Sequence, residues 1–98
     1  MAYQYTLHPD AQIEYEESVQ WYLKRSFKAA SNFVKAVDKG LLHLCKVPDV
    51  YINKYKNYHE YTLQKYPFTI VYVIEEKQEL IVILAINHQK RKPENKYR

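Results

Sequence analysis

Phe68-Thr69-Ile70-Val71-Tyr72-Val73-Ile74 and Leu80-Ile81-Val82-Ile83-Leu84-Ala85-Ile86, separated by Glu75-Glu76-Lys77-Gln78-Glu79, decide how this chain folds. Each run is apolar at successive positions rather than at every second one, and each is too short for an independent helix. Both are therefore expected to be central strands covered on two faces, joined as a hairpin by the charged turn. A weaker strand, about Tyr58 to Lys65, precedes them and stops at Tyr66-Pro67.

Working outward, Tyr3-Gln4-Tyr5-Thr6-Leu7 alternates apolar and polar residues of high β propensity and predicts a half-buried strand that ends at His8-Pro9-Asp10. Pro9 suits the first turn of a helix, where its missing N–H would have no partner. Ala11, Tyr15, Val19, Tyr22 and Leu23 follow at helical spacing, with acidic residues early and Lys24-Arg25 at the end, each sign favourable to the helix dipole. A second helix is predicted from about Phe27 to Lys46, its apolar stripe running through Phe27, Ala30, Val34, Val37, Leu41 and Leu44. Gly40, the only glycine, falls inside that helix, where it costs up to about 1 kcal/mol relative to Ala; a close packing contact would explain it. The order β-α-α-β-β-β contains no alternating βαβ units. The expected fold is α+β, a mainly antiparallel four-stranded sheet with a two-helix hairpin on one face.

With 98 residues, 47% of them apolar, the chain is expected to form one domain over 1–98 rather than a disordered segment. Its 15 Lys/Arg against 11 Asp/Glu give a net charge of +4. The excess is local, because the basic C-terminal tail at 89–98 carries five Lys/Arg and one Glu and leaves residues 1–88 neutral. One glycine leaves no phosphate-cradling loop. The histidines His8, His43, His59 and His88 have no metal-ligand spacing, and Cys45 stands alone in an apolar helical pattern, so neither a metal, a cofactor nor a disulfide is expected. Ser18, Ser26 and Ser31 lie in or beside helices, without the strand-to-helix elbow of a nucleophilic serine. No signal peptide or membrane span is read, and a soluble, cytoplasmic protein is the expectation.

Three features could carry function. Asn87-His88-Gln89-Lys90-Arg91-Lys92-Pro93 leaves the last central strand and puts an imidazole beside three cations. Arg91 could grip a phosphate bidentately, with Lys90 and Lys92 acting as point charges; the competing reading is a solvated tail. Tyr51 to Tyr61 interleaves four tyrosines with Lys54, Lys56 and His59, a pairing of rings and cations suited to nucleic acid, or alternatively tyrosines that only cover the core. Glu14, Glu16 and Glu17 form an acidic side of the first helix and read as an exposed, solvated face.

Lys65-Tyr66-Pro67-Phe68-Thr69-Ile70-Val71-Tyr72 and Ile83-Leu84-Ala85-Ile86-Asn87-His88-Gln89-Lys90-Arg91-Lys92-Pro93 resemble the aromatic-Pro-aromatic strand start and the His-x-x-Arg-x-Pro ending of RelE/ParE-type toxins. Ala11, Trp21-Tyr22, Ala30, Phe33 and Pro48 also fall where that family has similar residues. The resemblance implies a bacterial type II toxin of a plasmid-stabilisation-like system, paired with an antitoxin and needing no metal or small-molecule cofactor. The ending resembles the ParE side, which implies inhibition of a nucleic-acid enzyme such as DNA gyrase by binding. The RelE side would imply ribosome-dependent mRNA cleavage, for which His88 and Tyr97 are the proton-transfer candidates and Arg91 the phosphate clamp. A non-toxic scaffold of the same fold is the third reading. His59-Glu60 stands where family members often carry an Arg, and Tyr97 only approximates the usual Trp after the last Pro.

Overall fold

β4 (Phe68–Glu75) and β5 (Leu80–His88) are the two innermost strands of a five-stranded sheet in the order β1-β5-β4-β3-β2. The computed structural model describes residues 3–51, 53–55 and 57–89, with the backbone alone at 53–55. β1 (Gln4–Leu7) is followed by α1 (Pro9–Leu23), α2 (Phe27–Lys46) and a 3-10 turn at Pro48–Val50; β2 (Asn53–Tyr55) and β3 (Tyr58–Thr62) then lead into β4. β1 runs parallel to β5, while the other three pairings are antiparallel. The expected α+β architecture is present. The sheet carries one short strand more than expected, because Asn53–Tyr55 folds back on β3 with Asn53 opposite His59 and Tyr55 opposite Tyr58.

The helices begin at side-chain caps. His8 Nδ1 accepts the Asp10 N–H at 3.0 Å, with Pro9 at the first helical position, and Ser26 Oγ accepts the Ala29 N–H at 2.9 Å. Such caps satisfy N–H groups that have no partner within the helix. α2 buries Phe33, Val37, Leu41, Leu44 and Cys45 against Phe68, Ile70, Tyr72, Ile81, Ile83 and Ile86 of the sheet, and Ala30 is buried as well. Burial pushes the Cys45 thiol up from its usual pKa, consistent with a small core residue. Phe27 departs from expectation: it is 81% exposed, because at the first position of α2 it precedes Ala30, where the stripe is first covered.

A β-bulge interrupts the central pair. Val71 is opposite Ala85 and Tyr72 opposite Ile83, which leaves Leu84 as an extra residue on β5. An extra residue reverses which side chains point to which face. Ile81 and Ile83 before it and Ile86 after it all join the core, although an unbroken strand would send Ile86 the other way.

Gly40 has the packing role its position suggested. A Cβ there would lie 3.1 Å from Leu63 Cδ2 and 3.2 Å from Tyr61 Cε2, so β3 approaches α2 closely at this point. Among the described residues no helix is long and apolar enough to cross a membrane. Gly40→Val should destabilise the protein by about 1–3 kcal/mol in urea denaturation, since the added methyls must displace both side chains. An unchanged midpoint would contradict that contact.

Candidate functional site

The residues singled out from the sequence divide into two groups. His59 and His88 are described, and Lys54 is described only as backbone within β2. Lys56, Lys90, Arg91, Lys92 and Tyr97 lie outside the described residues.

His59 and His88 share the helix-facing side of the sheet without meeting. His59 is opposite Tyr72 and His88 opposite Phe68. Four residues along β4 and two strand spacings separate them, about 16 Å between backbones. They do not form one acid-base pair.

His59 is built into a ring cluster. Its imidazole stacks on Tyr72, with centroids 5.2 Å apart and planes 19° from parallel. Its Nδ1 lies 3.0 Å from the Tyr51 carbonyl oxygen. A carbonyl can only accept, so Nδ1 carries the proton and donates. Tyr72 is fully buried and donates its hydroxyl to the Pro48 carbonyl at 2.7 Å. Burial, with Tyr51 and Asp49 nearby, pushes the Tyr72 hydroxyl well above the usual tyrosine pKa. On the other side of Tyr51, its hydroxyl meets His43 Nε2 and its ring lies edge-on to Tyr61 at 4.8 Å. Tyr51 is thus held at backbone, ring and hydroxyl, which fixes the point where the chain enters the segment bearing Lys54 and Lys56.

His88 ends β5 half-buried, its ring edge-on to Phe68 at 5.1 Å. The next residue, Gln89, donates its N–H to the Pro67 carbonyl at 2.7 Å. This bond ties the root of the basic ending to the Tyr66-Pro67 corner, joining in space the two stretches that carried the family resemblance.

Two groups escaped the sequence reading. Glu14, expected on an exposed acidic face, is half-buried, and its Oε1 accepts the Ile86 N–H at 3.0 Å. β1 stops at Leu7, opposite Ile83, so this carboxylate takes over the strand edge where β1 no longer reaches. The second is a groove between α2 and the β3–β4 corner, lined by Lys35, Lys39, Lys65, His43, Tyr61 and Gln64 among others. α2 carries four lysines against Asp38, whereas α1 carries four carboxylates and no Lys or Arg. The neutral body therefore has an acidic helix and a basic one. Alternation of charge type between two helices was visible in the sequence; the corner that brings Lys65 beside Lys35 and Lys39 was not. Among the described residues no His, Cys, Asp and Glu group could hold a metal.

The family model described as the ParE toxin of the type II toxin-antitoxin system parDE matches residues 5–93. The chain belongs to this family and has the ParE/RelE fold. A chain from the chromosomal ParDE toxin-antitoxin system of P. aeruginosa superposes with a TM-score of 0.76 at 15% identity, over 89% of this chain and 96% of that one. A chain of the intact E. coli RelBE toxin-antitoxin complex gives 0.68 at 14% identity, over 92% and 100%. A mutant E. coli RelE toxin in the free state gives 0.61 at 12% identity, over 92% and 86%. No curated protein matches the chain.

Two variants test the anchoring contacts. Glu14→Ala should cost about 1–3 kcal/mol, because the Ile86 N–H loses its acceptor, and Glu14→Gln should recover most of it. Equal losses in urea denaturation would show that the side-chain oxygen is not what matters. The raised Tyr72 pKa adds an alkaline sensitivity. Its folded pKa lies above the unfolded value, so its contribution is complete below about pH 10 and declines above it, as the unfolded chain alone ionises. Tyr72→Phe should be less stable by about 1 kcal/mol at pH 7, from the lost bond to Pro48, and should lose less stability than the wild type between about pH 10 and pH 11.

Proposed function

We propose that this chain is a ParE-like toxin that inhibits a nucleic-acid enzyme such as DNA gyrase by binding it, and that a cognate antitoxin silences it in the cytoplasm. The observation that carries this reading is the match to the ParE toxin family over residues 5–93. Cleaving RNA requires activation of a 2′-OH and a proton donor for the leaving oxygen, placed within reach of one phosphate. His59 and His88 are about 16 Å apart, too far to share that task as a pair, which leaves untouched a set built on His88 with Arg91 and Tyr97. A binding mechanism asks instead for surface charge. Lys54, Lys56 and His59 on one segment, and Lys90, Arg91 and Lys92 beyond His88, would supply it to an acidic protein surface or to DNA held by the target enzyme.

The antitoxin partner is inferred from the family and from the neighbours in fold, whose solved structures include toxin-antitoxin assemblies. The RelE-like alternative, metal-independent cleavage of ribosome-bound mRNA, would rest on His88, Arg91 and Tyr97. A non-toxic scaffold remains the third reading.

Expression without the antitoxin should arrest growth with DNA damage while translation initially continues, and the purified chain should block supercoiling by gyrase. Lys90→Ala/Arg91→Ala/Lys92→Ala should weaken inhibition by at least about tenfold, as expected for loss of several charged contacts. Intact supercoiling together with mRNAs cut within codons, suppressed by His88→Ala/Arg91→Ala, would replace this reading with the nuclease. Absence of growth arrest would favour the non-toxic scaffold.

A further inference from the structure

Among the described residues nothing covers the outward face of α1, although that face is not uniformly polar. Ile13 is 52% exposed and Trp21 50% exposed. With Glu16, Glu17, Gln20 and Lys24 they line a shallow depression on the surface. At 100° per residue, these six positions fall within an arc of about 140°, so they form one face of the helix. Arg25 lies over the Trp21 ring at 4.0 Å from its centroid and the neighbouring Tyr22 meets that ring edge-on. Trp21 remains half exposed despite these contacts.

The charges on this face are ordered along the helix, with Glu16 and Glu17 toward its start and Lys24 just past its end. A face of that kind complements itself when a second copy is turned end for end, the arrangement of a two-fold isologous contact. An axis passing between Gln20 and Trp21 sets Glu17 and Lys24 equally far from it, 3.5 residues or about 5 Å to either side. Both positions lie on the same flank of the helix, within about 20° of each other in angle. Each Glu17 then faces the other copy's Lys24, and the two Trp21 rings meet across the axis. Ile13 reaches the level of the other copy's α1–α2 turn, where Phe27 is 81% exposed.

We propose that this α1 face is a homodimer interface, with two copies packed antiparallel through Trp21 and held in register by two Glu17–Lys24 pairs. The occupant follows from the charge order. A wholly acidic or wholly basic partner would leave one end of the face opposed by like charge, whereas a second copy in reverse satisfies both ends. One helix per protomer makes a small contact, below about 1,200 Å² in total, so association should be weak and concentration-dependent.

Sedimentation velocity of the 98-residue chain, from about 1 µM to about 1 mM, should follow the mass from 11.9 kDa toward twice that value. Trp21 is the only tryptophan, so its emission should shift to the blue over the same range. Glu17→Lys or Lys24→Glu alone should raise the dissociation constant by about tenfold or more, since two attractive pairs become repulsive. Glu17→Lys/Lys24→Glu together should restore it, because each copy again presents opposite charges to its mate. Circular dichroism should confirm that all three variants fold. A constant mass of 11.9 kDa across the range, single variants that associate like the wild type, or a double variant no tighter than the singles would each overturn the proposal.

Discussion

The pairing of β4 with β5 is the constraint on which the rest of the molecule depends. Eight positions are in register from Phe68 opposite His88 to Glu75 opposite Leu80, long enough for β5 to hold β1 on its other edge and for β4 to hold β3. The bulge at Leu84 gives this pair two phases. Before it, Ile81 and Ile83 fill the core beneath the helices; after it, the same face is taken by Ile86 and His88. Without the extra residue, the last turn of the pleat would send His88 to the opposite face and move the root of the basic ending with it. A local departure from strand geometry therefore sets the face of the sheet on which His88, the last residue of β5, stands.

Polar groups inside this body hold segments together at places where regular hydrogen bonding stops. Glu14 meets the strand edge that β1 no longer covers, Tyr72 meets the carbonyl of Pro48 after α2 ends, and His59 meets the carbonyl of Tyr51 before β2 begins. An unpaired backbone group in these positions would cost about 1–3 kcal/mol if buried, so each contact fixes a junction as well as satisfying an atom. No described buried side-chain nitrogen or oxygen lacks a partner. Among the described residues the core therefore has no spare polar side-chain atom, and the groups available for recognition are those on its faces.

The elements were legible in the sequence because each has one dominant period. Phe68 to Ile74 and Leu80 to Ile86 read as central strands from unbroken apolar runs, and α2 read from Phe27 to Lys46 with the observed boundaries. Periodicity does not report where an element is covered, which is why Phe27 belongs to the stripe in sequence and to the surface in structure. It is also blind to the short pairing of Asn53–Tyr55, whose Tyr-Lys composition resembles a loop, and to the insertion at Leu84, which a continuous apolar run conceals. Glu14 was misread for a related reason: three nearby carboxylates look alike along the chain, and only the early end of β1 gives one of them a backbone donor. Of the candidate site, the sequence located the His59 and His88 stretches but not the distance between them, because that distance depends on which residues of β4 stand between β3 and β5.

Charge follows the same logic. Residues 1–88 sum to zero, which from composition alone suggests a body indifferent to charged partners and a single basic ending that does the recognising. That conclusion fails because the cancelling charges sit on different helices, carboxylates on α1 and lysines on α2, and the fold adds Lys65 of the β3–β4 corner to the groove that Lys35 and Lys39 line. Fields from separated surface charges act within about 8–10 Å at physiological salt, far less than the span of the molecule, so a partner meets one face at a time and net neutrality is no shield. A toxin of this class must be recognised by an antitoxin and must recognise a target. The acidic helix and the basic helix of a body that is neutral in sum are therefore electrostatically distinct surfaces, and net charge alone is a poor guide to which face a charged partner meets.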